Sequence, residues 1–564
     1  MAVIHTSIDK FTTDVIQHKG VVLVDFYADW CVSPETQILL TENVQIPAKD
    51  IRKNDRLVGL GENGKDSGIV SYSAVTSDEG HCQELTVETG RKIKVTDGHL
   101  LYTPDGWKAT QQIVLGEKVA IYPVGDAINQ TRVNNQDIIL SRLLGMIFSD
   151  GTLYYQEKNR YYEISFSVGQ KQDVEWLSED LSTLGFPRVH VKELIKDQEI
   201  DGRKFTTHLF RIKCCSKRLF ELLKQSGGPV GAKKSQIYTV PIWIKKGSMA
   251  IKRSFLQGYL GGDGPKVTMN LTKREGRSNY NNTHINDLEF HKDSELKSSG
   301  LKLAREISSL LEEFGVDIRK TFIEEDSYIR ADGKKSAIIH ICFKQNYENA
   351  YVLSHKVGYA YCNQKQHQST LVGEFIREIL FLRQGWKDSY TKALQLSNQG
   401  LDYRKIAKML HIHTSQAWAW TKGKTKATIT KHGLRFDTWL QEKTKDAPID
   451  FLWEKVIGKK QIFLRKVAKI TVSPTHNFIA NGFLSHNCGP CKITSPIIEE
   501  LADDPEFREV RFVEVDVDAD NDLAAQFNIL SIPTFLIFKN GEVISQFVGA
   551  RDKSGFESEL KSAL

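Results

Sequence analysis

Apolar residues fall along this chain in three patterns. The first is the near-continuous run. Val21-Val-Leu-Val-Asp25-Phe26 is apolar and β-branched except at Asp25, as in a strand buried on both faces. Val510-Arg-Phe-Val-Glu-Val-Asp-Val517 predicts a second buried strand and Ser531-Ile-Pro-Thr-Phe-Leu-Ile-Phe538 a third. Asn540-Gly541 then predicts a tight turn into a hairpin partner. Pro496-Ile-Ile-Glu-Glu-Leu501 continues a helix that begins near residues 488–491. The second pattern is alternation. Val87, Ile93 and Val95, with Thr89-Gly90 between them, predict β-structure. The third is an internal repeat. Leu143-Leu-Gly145-Met-Ile-Phe-Ser149-Asp150-Gly151 aligns position for position with Leu256-Gln-Gly258-Tyr-Leu-Gly-Gly262-Asp263-Gly264. Each copy is followed by a strand, Tyr161–Ser167 or Ala337–Phe343, and by an amphipathic helix near Val174–Leu184 or Leu301–Phe314.

A length of 564 residues with 40% hydrophobic content predicts several globular domains. The net charge of +6 hides an asymmetry. Residues 1–30 and 488–564 hold 9 Lys and Arg against 19 Asp and Glu, while residues 31–487 hold 67 against 51. The ends are acidic and the middle basic, so different partners are expected, with nucleic acid a candidate for the middle. A solvated basic surface accounts for the charge equally well. Eight cysteines in this length exclude a disulfide scaffold. Cys82, Cys214, Cys215, Cys342 and Cys362 lack metal-ligand spacing and are expected to pack as small apolar residues. The chain shows no secretory signal and no apolar run of membrane-spanning length, so a cytoplasmic location and no membrane partner are expected.

The candidate chemistry concentrates at Asn481-Gly-Phe-Leu-Ser-His486-Asn487-Cys488-Gly-Pro-Cys491. Cys488-Gly-Pro-Cys491 has the spacing of a redox dithiol, whereas Asp25-Phe-Tyr-Ala-Asp-Trp30 runs into Cys31 far upstream. Deleting residues 31–487 joins Trp30 to Cys488, and the joined flanks then resemble the thioredoxin family throughout. The resemblance implies a split α/β thioredoxin fold in which Cys488 attacks a substrate disulfide and Cys491 resolves the mixed disulfide. It also implies that the buried Asp25 carboxylate assists proton transfer and that Pro533 is a cis-proline facing the dithiol. A thiol at a helix N-terminus has its thiolate favoured. Thioredoxin reductase and disulfide-containing proteins would be the partners, with no bound cofactor.

The ends of the insert resemble inteins. Cys31-Val-Ser-Pro-Glu opens it, Thr96-Asp-Gly-His99 matches an internal block, and Thr475-His476-Asn477-Phe478 with His486-Asn487-Cys488 closes it. The resemblance implies an all-β Hint splicing domain built from residues 31–130 and 455–487. Cys31 would attack the carbonyl of Trp30, with Thr96 and His99 on the scissile amide and His99 donating a proton to the leaving nitrogen. Cys488 would take the acyl group. Asn487 would cyclise, assisted by His486 and His476. Lys469 stands where inteins of this kind often carry aspartate.

The repeat resembles LAGLIDADG homing endonucleases, with residues 131–390 as an α+β domain. Gly145 and Ser149, and Gly258 and Gly262, are four apart, so each pair shares a helix face and the two helices can cross closely. Asp150 and Asp263 then meet at the two C-termini, where paired carboxylates call for Mg²⁺. The implied substrate is double-stranded DNA, namely the intein-free thioredoxin gene, and Lys234 is a candidate further catalytic residue. Residues 391–430 fit a helix-turn-helix. Thr414, Ser415, Gln416 and Trp418 would face the groove, and Lys422 and Lys424 the phosphates. The reading is a self-splicing precursor whose excised insert cuts DNA. Two alternatives stay open: a splicing-defective stable fusion with a DNA-binding insert, and a splicing insert with a relic nuclease.

Overall fold

The computed structural model describes the chain except residues 1–2, 28–30, 42–43, 63, 77–79, 128–133, 201–202, 275–276, 330–332, 427–433, 487–489, 518–519, 530–533 and 550. It divides into two compact units, Met1–Tyr122 with Lys443–Leu564, and Pro123–Glu442. The described residues 123–127 thus fall in the second unit.

The first unit contains a five-stranded sheet made from both ends of the chain. Its order is Ile4–Thr6, Val510–Asp516, Val21–Tyr27, Thr534–Lys539, Glu542–Val548. Val21–Tyr27 runs parallel to Val510–Asp516, with Asp25 opposite Glu514, and antiparallel to Thr534–Lys539, with Asp25 opposite Phe535. Alternation decides which face each side chain buries. Val21 and Leu23 join Ile498, Leu501, Phe556 and Leu560 from the helices Pro490–Asp503 and Lys553–Ala563. Val22, Val24 and Phe26 join Phe11, Val15 and Leu523 on the other face. Asn540 and Gly541 both take positive φ, 54° and 87°, and so form the expected two-residue turn. The N-terminal strand Ile4–Thr6 and the helical segment Ile8–Ile16 do not stand out in the hydrophobic pattern.

The β-rich remainder of this unit has an extended sheet ordered Gln45–Pro47, Gln37–Leu39, Asn477–Ala480, Phe483–His486, Lys118–Ile121, Leu452–Leu464, Gly80–Val87, Lys92–Thr96. The hairpin Leu100–Thr103 and Gly106–Ala109 pairs onto Phe483–His486. A three-stranded sheet, Val467–Ser473, Gly64–Thr76, Arg56–Gly61, completes it. Strands from residues 37–121 interleave with strands from 452–486 around one apolar core. Leu452–Leu464 begins three residues before the boundary expected at 455.

In the second unit the helices Asn135–Phe148 and Met249–Asp263 cross face to face. A Cβ on Gly145 would lie 2.0 Å from the Phe255 carbonyl oxygen, and one on Gly258 would lie 2.0 Å from that of Arg142. Glycine is required at both positions because the backbones themselves touch. One side of the pair carries the sheet Thr152–Gln156, Tyr161–Val168, Arg203–Cys214, His190–Ile200, with the helix Lys171–Thr183. The second copy carries Leu288–Asp293, Lys335–Phe343, Ile318–Ile329, with the helix Lys297–Glu313. The Arg142 guanidinium is fully buried and donates to both Asp180 carboxylate oxygens at 2.9 and 2.8 Å. The helix Asn363–Asn398 passes residue 390 without a break.

Gly258→Ala forces this crossing apart and should cost about 1–3 kcal/mol or more. Gly385 also lies in a helix, but a Cβ there meets nothing within 4 Å, so Gly385→Ala should be neutral or gain up to about 1 kcal/mol. Urea unfolding of the two variants checks the contrast.

Candidate active site

Cys31, Val32 and Ser33 lie as a short extended segment between two strands. On one edge the Val32 N–H donates to the Ala468 carbonyl at 3.1 Å and the Ala468 N–H returns to Val32 at 2.8 Å. On the other edge Ser33 N–H donates to Lys94 at 2.9 Å and Thr96 N–H donates to Cys31 at 3.1 Å. Val32, 1% exposed, turns into the apolar core with Val95 and Ala468. Cys31 therefore faces the other way, yet is itself only 1% exposed. The Cys31 amide N–H donates to Thr96 Oγ1 at 3.0 Å. That nitrogen belongs to the bond joining Cys31 to residue 30, so Thr96 holds the leaving atom of any reaction that breaks this bond.

The Thr96–His99 turn is held by its backbone. His99 N–H donates to the Thr96 carbonyl, and the His99 carbonyl accepts from both the amide and the hydroxyl of Thr110. The imidazole is fully buried, and neither ring nitrogen has a hydrogen-bond partner among the described residues. Burial, reinforced by nearby His486, pulls its pKa down to about 3. His99 is therefore neutral at pH 7 and is no imidazolium acid. It can still relay a proton, taking one at the free nitrogen and giving one from the other. His486 ends the strand Phe483–His486 and stands edge-on to Trp107, centroids 4.8 Å apart. Its strand partner is Asn477. The Asn477 side chain closes the adjacent turn, accepting from Leu60 N–H at 2.6 Å and donating to the Leu60 and Thr475 carbonyls at 2.9 and 2.8 Å. His476 sits in that turn at φ 53°. Lys469 is buried on the strand Val467–Ser473.

Asp25 lies mid-strand in the five-stranded sheet at 1% exposure. Neither carboxylate oxygen has a partner among the described residues. Burial first, and Glu514 second, hold its pKa well above the usual carboxylate range. Trp30, Asn487, Cys488 and Pro533 lie outside the described residues. Cys491 falls in the helix Pro490–Asp503, its side chain outside the description.

In the second unit Asp150 follows the end of the first crossing helix and Asp263 closes the second. A Cβ on Gly262 would lie 2.9 Å from Asp150 Oδ2, so the carboxylate rests over that glycine beside Asp263. Burial and then the Asp150 charge push the Asp263 pKa up to about 6. Two lysines answer this charge and cap the helices. Lys233 Nζ donates to the carbonyls of Ile147, Ser149 and Gly151. Lys365 Nζ donates to Leu260, Gly261, Gly262 and Gly264 at 2.7–3.1 Å. Each ammonium collects carbonyl oxygens at and just beyond a helix C-terminus, the negative end of the dipole. The lysine at the first helix end is thus Lys233 and not Lys234, which is exposed. Lys292, fully buried, fixes the Lys233 turn by donating to the carbonyls of Lys233 and Gln236, both at 2.8 Å. No spacing links Lys233 or Lys365 to the repeat, so sequence offers no signal for them.

The helices Tyr403–Leu410 and Thr414–Thr421 bury Ile406, Ala407, Ala417 and Trp420. Thr414, Ser415, Trp418, Lys422 and Lys424 are exposed and Gln416 is half-buried. Among the described residues no three His, Cys, Asp or Glu side chains cluster as a metal site, and no helix is long and apolar enough to cross a membrane.

Residues 37–487 match the family model of the intein splicing domain, and residues 458–562 that of thioredoxin. The chain is 30% identical over 373 residues to the replication factor C small subunit of Methanocaldococcus jannaschii, covering 64% of this chain but only 18% of that relative. It is 41% identical to thioredoxin Asp f 29 of Aspergillus fumigatus, covering 13% of this chain and 67% of that protein. Among solved structures it resembles the Ssp DnaB mini-intein variant M86 at 26% identity, covering 17% of this chain and 67% of that chain, with a TM-score of 0.17.

Because His99 titrates near 6.5 when unfolded and near 3 when folded, the unfolded state takes up its proton first as pH falls. His99 therefore leaves stability untouched above about pH 6.5 and removes about 1.4 kcal/mol per pH unit below it. Unfolding free energies of the wild type and a His99→Gln variant, compared between pH 4.5 and 7.5, should show the steeper acid loss in the wild type.

Proposed function

The chain belongs to the intein splicing domain family, with that domain set inside a thioredoxin, and from this premise we propose that it excises residues 31–487 and joins Trp30 to Cys488. The observation that carries the reading is that Cys31, the first residue of the insert, has its amide nitrogen held by Thr96. The flanks, meanwhile, are already paired in one sheet.

Cys31 attacks the Trp30 carbonyl carbon. A carbon–sulfur bond forms and the bond to the Cys31 nitrogen breaks. Neutral His99 takes the thiol proton and supplies one to the departing nitrogen, while Thr96 keeps that nitrogen in place. Exchange of the acyl group onto the Cys488 sulfur returns the Cys31 thiol. The Asn487 side-chain amide then attacks its own carbonyl, closing a succinimide and releasing the Cys488 amine, with His486 and His476 assisting. That amine takes the acyl group from sulfur, giving the Trp30–Cys488 peptide bond. The joined product is a thioredoxin, with Cys488 and Cys491 as its dithiol and Asp25 beneath as its proton-transfer carboxyl. By the thioredoxin resemblance Pro533 would serve that product as its cis-proline, and thioredoxin reductase and protein disulfides would be its partners.

The paired ends of the crossing helices support a second activity in the same insert, a LAGLIDADG-type endonuclease acting on double-stranded DNA. Asp150 and Asp263 would hold Mg²⁺, whose charge would relieve the repulsion between the two carboxylates. Bound there, Mg²⁺ would supply Lewis acidity toward a phosphodiester and its attacking water. Lys233 and Lys365 hold both helix ends and add positive charge beside the scissile phosphates. Thr414, Ser415, Gln416, Trp418, Lys422 and Lys424 form the second DNA contact, in a helix-turn-helix.

Freshly expressed chain should resolve into a product joining residues 1–30 to 488–564 and a released 31–487 segment, both identified by intact mass. Cys31→Ala with Asn487→Ala should leave the 64.0 kDa chain whole. A wild-type chain that stays whole under reducing conditions supports the stable fusion instead. The released insert with Mg²⁺ should cut DNA spanning the rejoined Trp-Cys-Gly-Pro-Cys codons, and Asp150→Asn or Asp263→Asn should abolish cutting. No cutting by the wild-type insert marks the nuclease as a relic.

A further inference from the structure

The Val32–Ala468 bridge sets a register that places another residue across the strand pair from Cys31. The two residues exchange both backbone hydrogen bonds, at 3.1 and 2.8 Å, and the pairing is antiparallel. One step back along the short segment is Cys31, and one step forward along the strand is Lys469. In an antiparallel pair these are the next cross-strand neighbours, on the face opposite Val32 and Ala468, with Cβ atoms about 4.5–5.5 Å apart. Both are withdrawn from water, Cys31 at 1% and Lys469 at 7% exposure. The next position across from Lys469, on the strand Gly64–Thr76, is the uncharged Ala74.

The other groups around Cys31 are engaged or neutral. On the strand Lys92–Thr96, Thr96 accepts the Cys31 amide, and Lys94 is 3.5 Å from Glu84, which Lys92 also approaches at 3.4 Å. Cys82 is opposite Thr96 and protonated, its thiol pushed up to about 11 by burial and Asp97. Asp97 is bound by the amides of Gln83 at 2.9 Å and Gln461 at 3.3 Å. His99 is uncharged and lies beside His486. A buried thiol ionises with difficulty, and a buried ammonium next to it reverses that preference.

We propose that Lys469 is the electrostatic partner of the Cys31 sulfur, drawing it toward the thiolate that attacks residue 30. The inference rests on the splicing reading and adds to it the source of the nucleophile's charge. The thiolate attacks the Trp30 carbonyl carbon and the bond to the Cys31 nitrogen breaks. The thiol proton, given up through His99, returns to that nitrogen as it leaves. Lys469 passes no proton in the step and acts by charge alone.

The test uses the full chain carrying Asn487→Ala, which stops release at the far junction. Saturating hydroxylamine cleaves the Cys31 thioester, so the rate at which residues 1–30 appear reports the first step, read from pH 5.5 to 9.5. The rate should reach its plateau at a pH below the ordinary thiol value of about 8.5. Lys469→Met should move that midpoint up by about one unit, slowing the step about tenfold at pH 7, and should recover the same plateau at high pH. Lys469→Arg should keep the low midpoint, and Lys469→Asp should move it further up than methionine does. Recovery at high pH separates an electrostatic role from a folding defect, which would lower the rate at every pH. An unchanged midpoint in Lys469→Met, or an equal loss in Lys469→Arg and Lys469→Met at all pH values, overturns the proposal. Absence of any hydroxylamine cleavage in the Asn487→Ala chain instead removes the splicing reading itself.

Discussion

The first unit depends on one strand, Val21–Tyr27, being hydrogen-bonded on both edges by strands from the opposite end of the chain. Its neighbours begin at Val510 and Thr534, so the pairing closes a loop of several hundred residues. Loop-closure entropy grows only logarithmically with length, and the insert is itself folded. Burying Val21, Leu23, Val22, Val24 and Phe26 on two faces offsets that cost. The flanks are thus in thioredoxin register while a second fold still separates them. What remains to be exchanged is a peptide bond, not a tertiary structure.

The same economy governs the junction. Val32 is drawn into the core beside Val95 and Ala468, and this one apolar contact orients its neighbour. Cys31 is turned to the opposite face, its amide on Thr96, next to the strand that carries Lys469. Side-chain alternation converts the burial of one valine into the orientation of Cys31. His99 shows the complementary cost: an imidazole buried without a described hydrogen-bond partner, kept neutral and therefore able to pass a proton in either direction.

In the second unit backbone contact does the work that side chains do elsewhere. With glycines at 145 and 258 the helices approach until carbonyls meet the facing backbone, which carries Asp150 and Asp263 to one place. Lys233 and Lys365 then satisfy the exposed helix ends and temper the charge that this approach creates. Lys292 anchors one of those lysines through its own backbone carbonyl.

The strands at Val21, Val510 and Thr534, the Asn540-Gly541 turn and the repeat around Asp150 and Asp263 were determined by sequence alone. Each rests on periodicity or turn chemistry within a few residues. The turn that carries Thr96 and His99 was legible for the same reason, since the two residues lie within one short segment. The N-terminal strand Ile4–Thr6 was not legible, because three residues carry too little pattern. Nor was the choice of Lys233 over Lys234, the arrival of Lys365 at the second helix end, or the bridge of Val32 with Ala468. Those contacts join residues from about 80 to over 400 positions apart. Only tertiary structure decided them, because strand register and helix crossing are set by burial across the whole core, and no local pattern encodes which distant residue that burial brings alongside.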